Sequence, residues 1–264
     1  MTNLFETEEY KRDKNKFFFV ERNRKLASAK VYTDNQTYVA CQGDTNLPVW
    51  VWTLENLSLN NLKDLKEVLT NYLDNCEVHV TSRREVYDYL VNTNYQYLEQ
   101  SSYFEMGFLE CNKVLEPTKC EGYLDKARLD EVDLLSEYVY LDREELQLDV
   151  LTRKEAYNKA VNLLNDDNFY VWRNNNGKLV AYLNYYVVDN QAKLGNVYTV
   201  KEERRKGYCA NLVYNVTKNL LEQRYTPFLY TDYNYPNSNG AYKKVGYEDL
   251  GYLVNYTLKK NKNI

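Results

Sequence analysis

The sequence has little of what several large enzyme and metalloprotein classes require. Its 264 residues include a single histidine, His79, and five widely spaced cysteines with no CxxC pair. The odd number of cysteines argues against a disulfide framework and their spacing against a cysteine zinc site, so we expect no metal and a reducing compartment. His79 lies in the alternating segment 77–80, which is typical of a strand, and no GxSxG motif accompanies it. A histidine-based hydrolase is therefore not indicated.

Long apolar runs and nucleotide-binding motifs are also absent. The apolar run near the N-terminus, residues 17–20, is too short for a signal peptide or a membrane span. Neither the P-loop pattern GxxxxGKS/T nor the dinucleotide-binding pattern GxGxxG occurs. The formal net charge is -4 and the pI is about 5.4, which is not the balance of a general nucleic-acid-binding surface. We expect a cytoplasmic protein without a nucleic-acid or membrane partner.

What is present is the composition of a globular chain, with 44% apolar and 27% charged residues, at a length that suits two domains. The periodic pattern breaks near residues 116–119, which predicts an N-terminal α/β domain over 1–118 and a second domain over 119–264. In the first half, residue spacing predicts strands over 37–41, 48–54 and 103–114 and a helix over 61–73. A capping box that begins at Ser82 predicts a further helix through Val91.

The second half has a more regular pattern. We predict a strand over 120–128, a helix over 134–148, and a helix that a capping box starts at Thr152 and that runs to about Leu164. Two strands follow, over 169–173 and 178–188, joined by the hairpin turn Asn174–Gly177. The pattern then predicts a strand over 193–200, a helix after Gly207, a strand over 226–232, a short helix around 241–244 and a strand over 247–258. This order predicts a mixed α/β fold.

Positive charge is concentrated just before the predicted helix that follows Gly207. Arg204, Arg205 and Lys206 precede this glycine, in a chain that has only nine glycines. The first turn of a helix has free N–H groups and partial positive charge, so phosphate oxygens bind there readily. A glycine lets the backbone approach such an anion closely. The segment is a candidate pyrophosphate site, and the alternative is a solvated basic loop before an ordinary helix.

Three segments around this turn resemble those of the GCN5-related N-acetyltransferases, the GNAT superfamily. Residues 204–209, RRKGYC, resemble the family's turn R/Q-x-x-G-x-G/A, and residues 195–200, GNVYTV, are similar to its splayed fourth strand. Residues 241–247, AYKKVGY, resemble its later block, in which a tyrosine precedes a terminal Gly-Phe or Gly-Tyr. The resemblance covers residues 120–258. It implies a mixed sheet flanked by helices, and acetyl-CoA as the cosubstrate.

The resemblance also implies roles for particular residues. In the family, the main chain of the fourth strand pairs with the pantetheine arm, which implies Val197, Tyr198 and Thr199. The backbone of the turn holds the pyrophosphate, which implies Arg204, Arg205, Lys206, Gly207, Tyr208, Cys209 and Ala210. The tyrosine of the later block donates a proton to the leaving thiolate, which implies Tyr242. Where many relatives have an asparagine that contacts the cofactor, this chain has Tyr235, and the implied substitutes are Asn234 and Asn237.

Two points stay open in the sequence. Cys209 is an alternative nucleophile, because a helix N-terminus and nearby cations lower the pKa of a thiol, although its spacing belongs to the apolar stripe of the helix. The predicted strand 193–200 contains no Asp or Glu to act as the general base. Asp232, at the end of the following strand, is the candidate, and its alternative role is that of a turn residue. A water-mediated route or an amine that arrives neutral is a further alternative.

The predicted function is the acetyl-CoA-dependent acetylation of a primary amine, whose identity the sequence does not name. The alternative is a non-catalytic acyl-CoA-binding or interaction protein that keeps the fold, and the missing strand carboxylate and Tyr235 favour it. The first half has no complete acetyl-CoA turn. It is either a degenerate copy of the same fold, as in tandem proteins of this superfamily, or a separate α/β cap.

Overall fold

The computed structural model describes residues 3–73, 77–145 and 151–260. The chain forms two compact units, and neither unit is a single stretch of sequence. The first unit contains Met1–Phe108, Thr231–Asn234 and Leu250–Ile264, and the second contains Leu109–Tyr230 and Tyr235–Asp249. The division of the chain into domains 1–118 and 119–264 stays a prediction.

The described residues form both helices and strands in a mixed order, which confirms the predicted mixed α/β class. The strands are β1 (Lys30–Thr33), β2 (Tyr38–Gln42), β3 (Val49–Thr53), β4 (Glu77–Ser82), β5 (Leu98–Glu110), β6 (Tyr123–Asp125), β7 (Phe169–Arg173), β8 (Leu179–Val188), β9 (Gln191–Thr199), β10 (Thr226–Asp232) and β11 (Glu248–Lys259). The helices are α1 (Glu8–Asp13), α2 (Phe18–Asn23), α3 (Leu59–Thr70), α4 (Arg84–Asn92), α5 (Val132–Glu145), α6 (Arg153–Leu164), α7 (Tyr208–Glu222) and α8 (Pro236–Val245).

The first unit contains a sheet in the order β1-β2-β3-β4-β11-β5. Helix α3 packs on it through Leu62, Leu65 and Leu69, whose spacing of three and four places them on one helical face. The last strand of the chain completes this sheet, because Val254–Lys259 pair antiparallel with Ser82–Glu77 of β4. The first unit therefore depends on residues from both ends of the sequence.

The second unit contains strands in the order β10-β9-β8-β7-β6, in which the β9–β10 pair is parallel and the β6–β7, β7–β8 and β8–β9 pairs are antiparallel. Two apolar clusters cover its strands. Helices α5 and α6 pack with Tyr182 and Tyr198, whereas α7 and α8 pack with Leu183 and Leu194. Strand β9 thus has side chains in both clusters, and the candidate site described below lies at this strand.

Several local predictions are confirmed, and some are wrong. The Thr152 capping box is present, with Glu155 N donating to Thr152 Oγ1 at 3.2 Å and Thr152 N donating to Glu155 Oε2 at 2.7 Å. The Ser82 capping box is wrong, because Ser82 is the last residue of β4 and its Oγ donates to the carbonyl of Arg83 at 2.9 Å. The predicted strand 120–128 is reduced to β6, and residues 146–148 of the predicted helix 134–148 lie outside the described residues. Helices α1 and α2 were not predicted.

No helix in the part of the chain that the structure describes is both long enough and apolar enough to cross a membrane.

Candidate functional site

Strands β9 and β10 pair over only part of their length. The parallel register joins Gln191–Leu194 to Thr226–Leu229, whereas β9 continues to Thr199. On its other edge β9 stays paired with β8 as far as Thr199, opposite Ala181. In the second unit as described, residues 195–199 of β9 therefore lie beyond the register with β10. Main-chain groups along this edge of β9 are available to a ligand that runs beside the strand, and Val197, Tyr198 and Thr199 are among them.

A β-bulge lies where β9 extends past its β10 partner. The register between β8 and β9 shifts between Tyr182 and Asn184, and Asn196 has a φ of 47°. A bulge of this kind increases the local twist of a strand and bends it away from its neighbour. The fully buried Asn184 holds the bulge: its Oδ1 accepts from Asn196 Nδ2 at 2.9 Å, and its Nδ2 donates to Asp166 Oδ2 at 3.0 Å.

Replacing Asn184 by leucine is expected to lower both stability and the affinity for the acetyl-CoA that the resemblance implies. The variant leaves Asp166 and the amide of Asn196 without this partner, and the loss should cost about 1–3 kcal/mol of the free energy of unfolding. Without the hydrogen bonds of Asn184, the bulge should lose its geometry and the backbone of β9 should shift. Urea unfolding and calorimetric titration with acetyl-CoA measure the two effects. An unchanged affinity, corrected for the folded fraction, would mean that Asn184 serves stability alone.

The turn between β9 and α7 presents a row of backbone donors. Arg205 and Gly207 both have positive φ, 65° and 89°, and Gly207 is the N-cap of α7. The first bond of the helix runs from Asn211 N to the carbonyl of Gly207 at 3.1 Å. Over residues 3–73, 77–145 and 151–260, the N–H groups of residues 205–210 donate no hydrogen bond. Successive N–H groups in such a turn, followed by a helix N-terminus, form an anion-binding concavity.

The side chain of Asn211 supports this turn from within α7. Its Nδ2 donates to the carbonyl of Gly207 at 3.0 Å and to the carbonyl of Thr118 at 3.0 Å. A Cβ at Gly207 would lie 3.2 Å from Cys120 Cβ, and the positive φ would strain any other side chain there. Asn211 was not predicted as a site residue, although its position four residues after Gly207 places it one helical turn further along.

The three basic side chains before Gly207 have different surroundings. Arg204 pairs with Glu145 of α5 through both terminal nitrogens, and its Nε donates to the carbonyl of Thr199 at 3.0 Å. Lys206 Nζ donates to Glu203 Oε2 at 2.7 Å. Arg205 is exposed and has no ion pair among the described residues. Two of the three cations are thus balanced by carboxylates, and Arg205 is the one whose charge is fully available to an anion at this turn.

Tyr242 lies on α8 within the cluster that packs α7 and α8. Its side chain is 8% exposed, and its ring centroid lies 6.1 Å from that of Tyr247. Burial raises its pKa well above the ordinary value, and the neighbouring Cys209, Tyr247 and Asp142 add to the effect. The phenol therefore stays protonated at neutral pH, as a proton donor must. Its hydroxyl makes no hydrogen bond within the described ranges.

Cys209 does not have the properties of an activated nucleophile. Burial raises the pKa of its thiol to about 11, and a hydrogen bond with Thr199 and the charge of Arg204 offset only part of this effect. A thiol with such a pKa is overwhelmingly protonated at neutral pH, whereas the thiolate is the reactive form. The interpretation of Cys209 as part of the apolar stripe of α7 fits this environment, because it packs against the same cluster as Leu212 and Val216.

The remaining predicted residues lie elsewhere in the chain. Asp232 and Asn234 belong to the first unit, where Asn234 N donates to Asp232 Oδ1 at 2.9 Å and Asn234 Nδ2 donates to Glu105 Oε2 at 3.2 Å. This pairing is that of a turn, which was the alternative role for Asp232. Asn237 lies in the first turn of α8, and its side chain is outside what the structure describes. The roles of these three residues stay predictions.

The structure identifies a carboxylate that the sequence analysis missed. Asp142 lies on α5, on the same helical face as the buried residues Leu135, Tyr138 and Val139. Its burial raises the pKa of its carboxyl to about 6, although Lys159, Arg143 and Arg204 act in the opposite direction. The signal was present in the sequence, because positions 135, 138, 139 and 142 form one stripe of the predicted helix 134–148.

Within the described ranges, no group of three or more His, Cys, Asp or Glu side chains is placed to hold a metal ion.

Comparison with known proteins supports the resemblance to acetyltransferases. Residues 172–256 match the family model described as FR47-like protein. Similar solved structures include a GNAT-family acetyltransferase from Colwellia psychrerythraea, with 13% identity and a TM-score of 0.59 over 94% of this chain and 90% of that chain. A GCN5-related N-acetyltransferase from Sphaerobacter thermophilus has 12% identity and a TM-score of 0.60, over 88% of this chain and 84% of that chain. One from Kribbella flavida has 11% identity and a TM-score of 0.56, over 98% of both chains. No curated protein matches the sequence.

These findings confirm the resemblance stated from residues 195–247. Residues 172–256 are similar to the FR47-like model, and the chain shares the fold of solved GNAT acetyltransferases. The structural likeness covers nearly the whole chain, so it includes the first half. The interpretation of the first half as a degenerate copy stays a prediction.

Proposed function

We propose that this GNAT-fold chain is an acetyl-CoA-dependent N-acetyltransferase that acts on a primary amine. Acetyl transfer is the activity of the family that it resembles. The observation that carries the proposal is the row of unbonded N–H groups over residues 205–210, at the N-terminus of a fifteen-residue helix. Such a row fits a pyrophosphate, and the exposed Arg205 adds a charge that attracts it.

The separation of β9 from β10 supports the same proposal. The pantetheine arm of a cofactor whose pyrophosphate lies at Gly207 can run along residues 195–199 of β9. Beyond Leu194, this edge of β9 is no longer paired with β10. Val197 of this segment packs against the apolar cluster that contains Tyr242, whose phenol is buried but unbonded within the described residues. The residues present therefore fit acetyl-CoA: Val197, Tyr198 and Thr199 would bind the arm, and the turn would bind the phosphates.

Tyr242 would supply the acid for the reaction. When the bond between the acetyl carbon and sulfur breaks, negative charge develops on the sulfur, and a phenol within hydrogen-bond distance can transfer its proton there. The raised pKa of Tyr242 keeps its phenol protonated at neutral pH, so that it can donate a hydrogen bond to the sulfur as the charge develops. Burial also strengthens the interaction, since the effective dielectric constant around the ring is low.

The second candidate function is that of a non-catalytic acyl-CoA-binding protein. The observation that favours it is that β9, Gln191–Thr199, contains no Asp or Glu. The two functions agree on binding and differ in turnover.

One experiment with the full chain tests both candidates. Acetyl-CoA should raise the melting temperature, since a ligand that binds only the folded state stabilises it by about 2.7 kcal/mol at a hundredfold excess over its Kd. A panel of primary amines should then give thiol release from acetyl-CoA with at least one member. A thermal shift without thiol release for any amine would favour the binding protein. The absence of any shift would overturn both candidates.

A further inference from the structure

Arg204 is the first of the three cations before Gly207, and each of the three nitrogen atoms of its guanidinium donates a hydrogen bond within the second unit. Nη1 and Nη2 donate to the two carboxylate oxygens of Glu145 at the C-terminal end of α5, the first of them at 3.0 Å, and Nε donates to the carbonyl of Thr199 at 3.0 Å. A bidentate contact of this kind fixes the plane of the guanidinium as well as its position. Contacts within the chain itself therefore direct Arg204 toward α5 and β9.

The carbonyl that Arg204 contacts lies on the edge of β9 that faces away from β8. Val200 N donates to the carbonyl of Val180 at 3.0 Å, and the preceding residue, Thr199, lies opposite Ala181. In an antiparallel pair, residues whose main-chain groups bond to the partner strand alternate with residues whose groups point away from it. The main-chain groups of Thr199 therefore face the edge along which we propose that the pantetheine arm runs, and the side chain of Arg204 lies at the end of this edge.

The turn that follows Arg204 has a backbone conformation that needs support. Arg205 has a φ of 65°, in the left-handed region that non-glycine residues rarely adopt, and Gly207 has a φ of 89°. Such a conformation costs free energy at a non-glycine residue and persists where the surroundings hold it. The side chain of Arg204 ties the start of the turn to α5 and β9, and Asn211 bonds to the carbonyl of Gly207 at its other end. The row of free N–H groups is thus held on both sides.

We infer that Arg204 is a positioning residue for the pyrophosphate turn, that it acts through its ion pair with Glu145, and that it is not itself a ligand of the phosphates. The inference rests on the proposed function, since it concerns how the turn binds acetyl-CoA. A turn whose first residue is already held loses less conformational freedom when it binds an anion, which raises the affinity without a direct contact. Arg205, which is exposed and has no ion pair among the described residues, then supplies the charge.

The alternative is that Arg204 leaves Glu145 and binds a phosphate, in which case Glu145 competes with the cofactor. The two roles differ in the sign of one effect. Glu145→Gln keeps the shape of the side chain, removes its charge and weakens the ion pair. If Arg204 positions the turn, the Kd for acetyl-CoA should rise about fivefold or more, because a charge-assisted bidentate pair is lost. If Arg204 is a ligand, the variant frees it and removes a negative charge near the anion, so the Kd should fall.

Calorimetric titration of the full chain with acetyl-CoA measures this effect, at a temperature where all variants are folded. Glu144→Gln is the matched control, because Glu144 is exposed, lies next to Glu145 on α5 and has no ion pair in the part of the chain that the structure describes. It removes the same charge and leaves the contacts of Arg204 intact, so the Kd should stay within about twofold of wild type. An equal rise in Kd for both variants would contradict the inference, because the ion pair would not be the cause.

Arg204→Lys separates the position of the side chain from its charge. Lysine keeps the charge, but its single nitrogen cannot reproduce the paired contacts with Glu145 together with the bond to the carbonyl of Thr199. A positioning role predicts that Arg204→Lys weakens acetyl-CoA binding nearly as much as Arg204→Gln does, whereas a phosphate ligand should tolerate lysine. The opposite pattern is expected at Arg205, where lysine should keep most of the affinity and glutamine should lose it. If lysine is tolerated equally at both positions, Arg204 acts through its charge and the inference fails.

The double variant Glu145→Gln/Arg204→Gln has the net charge of wild type. Its Kd should be raised about as much as in either single variant, because both substitutions remove one interaction. A return to the wild-type Kd would mean that only the charges matter and would overturn the inference. Urea unfolding provides the stability control: the side chains of Arg204 and Glu145 are 37% and 30% exposed, so their pair should contribute little to the free energy of unfolding. A loss of affinity that only follows the folded fraction would make the pair a structural one.

The binding outcomes separate the inference from the proposed function. If wild type binds acetyl-CoA and Glu145→Gln binds it equally well or more tightly, the inference fails and the proposed function stands. If wild type binds no acetyl-CoA, the proposed function fails and the inference fails with it. Weaker binding by Glu145→Gln and Arg204→Lys, with Glu144→Gln and Arg205→Lys close to wild type, is the result that we expect.

Discussion

Tyr242→Phe is expected to lower kcat by about 100-fold or more while leaving the affinity for acetyl-CoA within a few-fold of wild type. The substitution deletes one oxygen and keeps the ring that packs α8. General acid catalysis contributes about 10²–10⁴-fold, and the lost interaction forms mainly in the transition state, so kcat and not binding should report its absence. Steady-state kinetics with the best amine of the panel, together with calorimetric titration of acetyl-CoA, measure the two quantities.

Tyr247→Phe is the matched control for this variant. Tyr247 belongs to the same cluster and is 2% exposed, and its hydroxyl forms a 2.8 Å hydrogen bond with Thr217. Its loss should reduce stability by about 1 kcal/mol and leave kcat unchanged at a temperature where both proteins are folded. If Tyr242→Phe keeps the wild-type kcat with chemistry shown to be rate-limiting, Tyr242 has no part in the reaction.

Gly207→Asp is expected to weaken acetyl-CoA binding by about 10³-fold. A carboxylate about 4 Å from a phosphate costs about 4 kcal/mol at the effective dielectric constant of a protein surface. Gly207 has a φ of 89° and precedes the N–H groups of α7, so a side chain there lies beside the anion that the turn would bind. The measurement is the acetyl-CoA-induced rise in melting temperature and the Kd from titration.

Gly207→Asn separates charge from backbone strain. Asparagine and aspartate have nearly the same shape, and both tolerate positive φ better than other residues. The asparagine variant should share the loss of stability that a Cβ near Cys120 causes, but it should keep most of the affinity. Equal affinities for the two variants would mean that no phosphate binds beside Gly207.

The turn before α7, the proposed pyrophosphate site, was the part of the candidate site most accessible from the sequence. A glycine at the start of a helix and an apolar stripe after it are local features, and they predicted the position of α7 to within one residue of its start at Tyr208. The hairpin turn Asn174–Gly177 and the Thr152 capping box also depend only on residues close together in the sequence, and both are present. Sequence patterns of this kind determine backbone conformation over a few residues, without help from distant parts of the chain.

Features that depend on distant partners could not be predicted in this way. The closing strand was expected in the second half, whereas Val254–Lys259 pair with Ser82–Glu77 of β4. Asp142 was on a predicted helix, but only the packed structure shows that burial raises the pKa of its carboxyl to about 6. Arg204 was expected at a phosphate, and Glu145, fifty-nine residues earlier, holds its guanidinium.

The sequence by itself determined the mixed α/β class, the glycine turn and the helix after it, because periodicity, capping and glycine conformation act over one or two helical turns. The tertiary structure alone decided where β9 leaves β10, how Asn184 holds the bulge, and that Glu145 pairs with Arg204. Each of these depends on which distant residues share a buried space, and burial and charge pairing are properties of the packed chain that no local pattern contains.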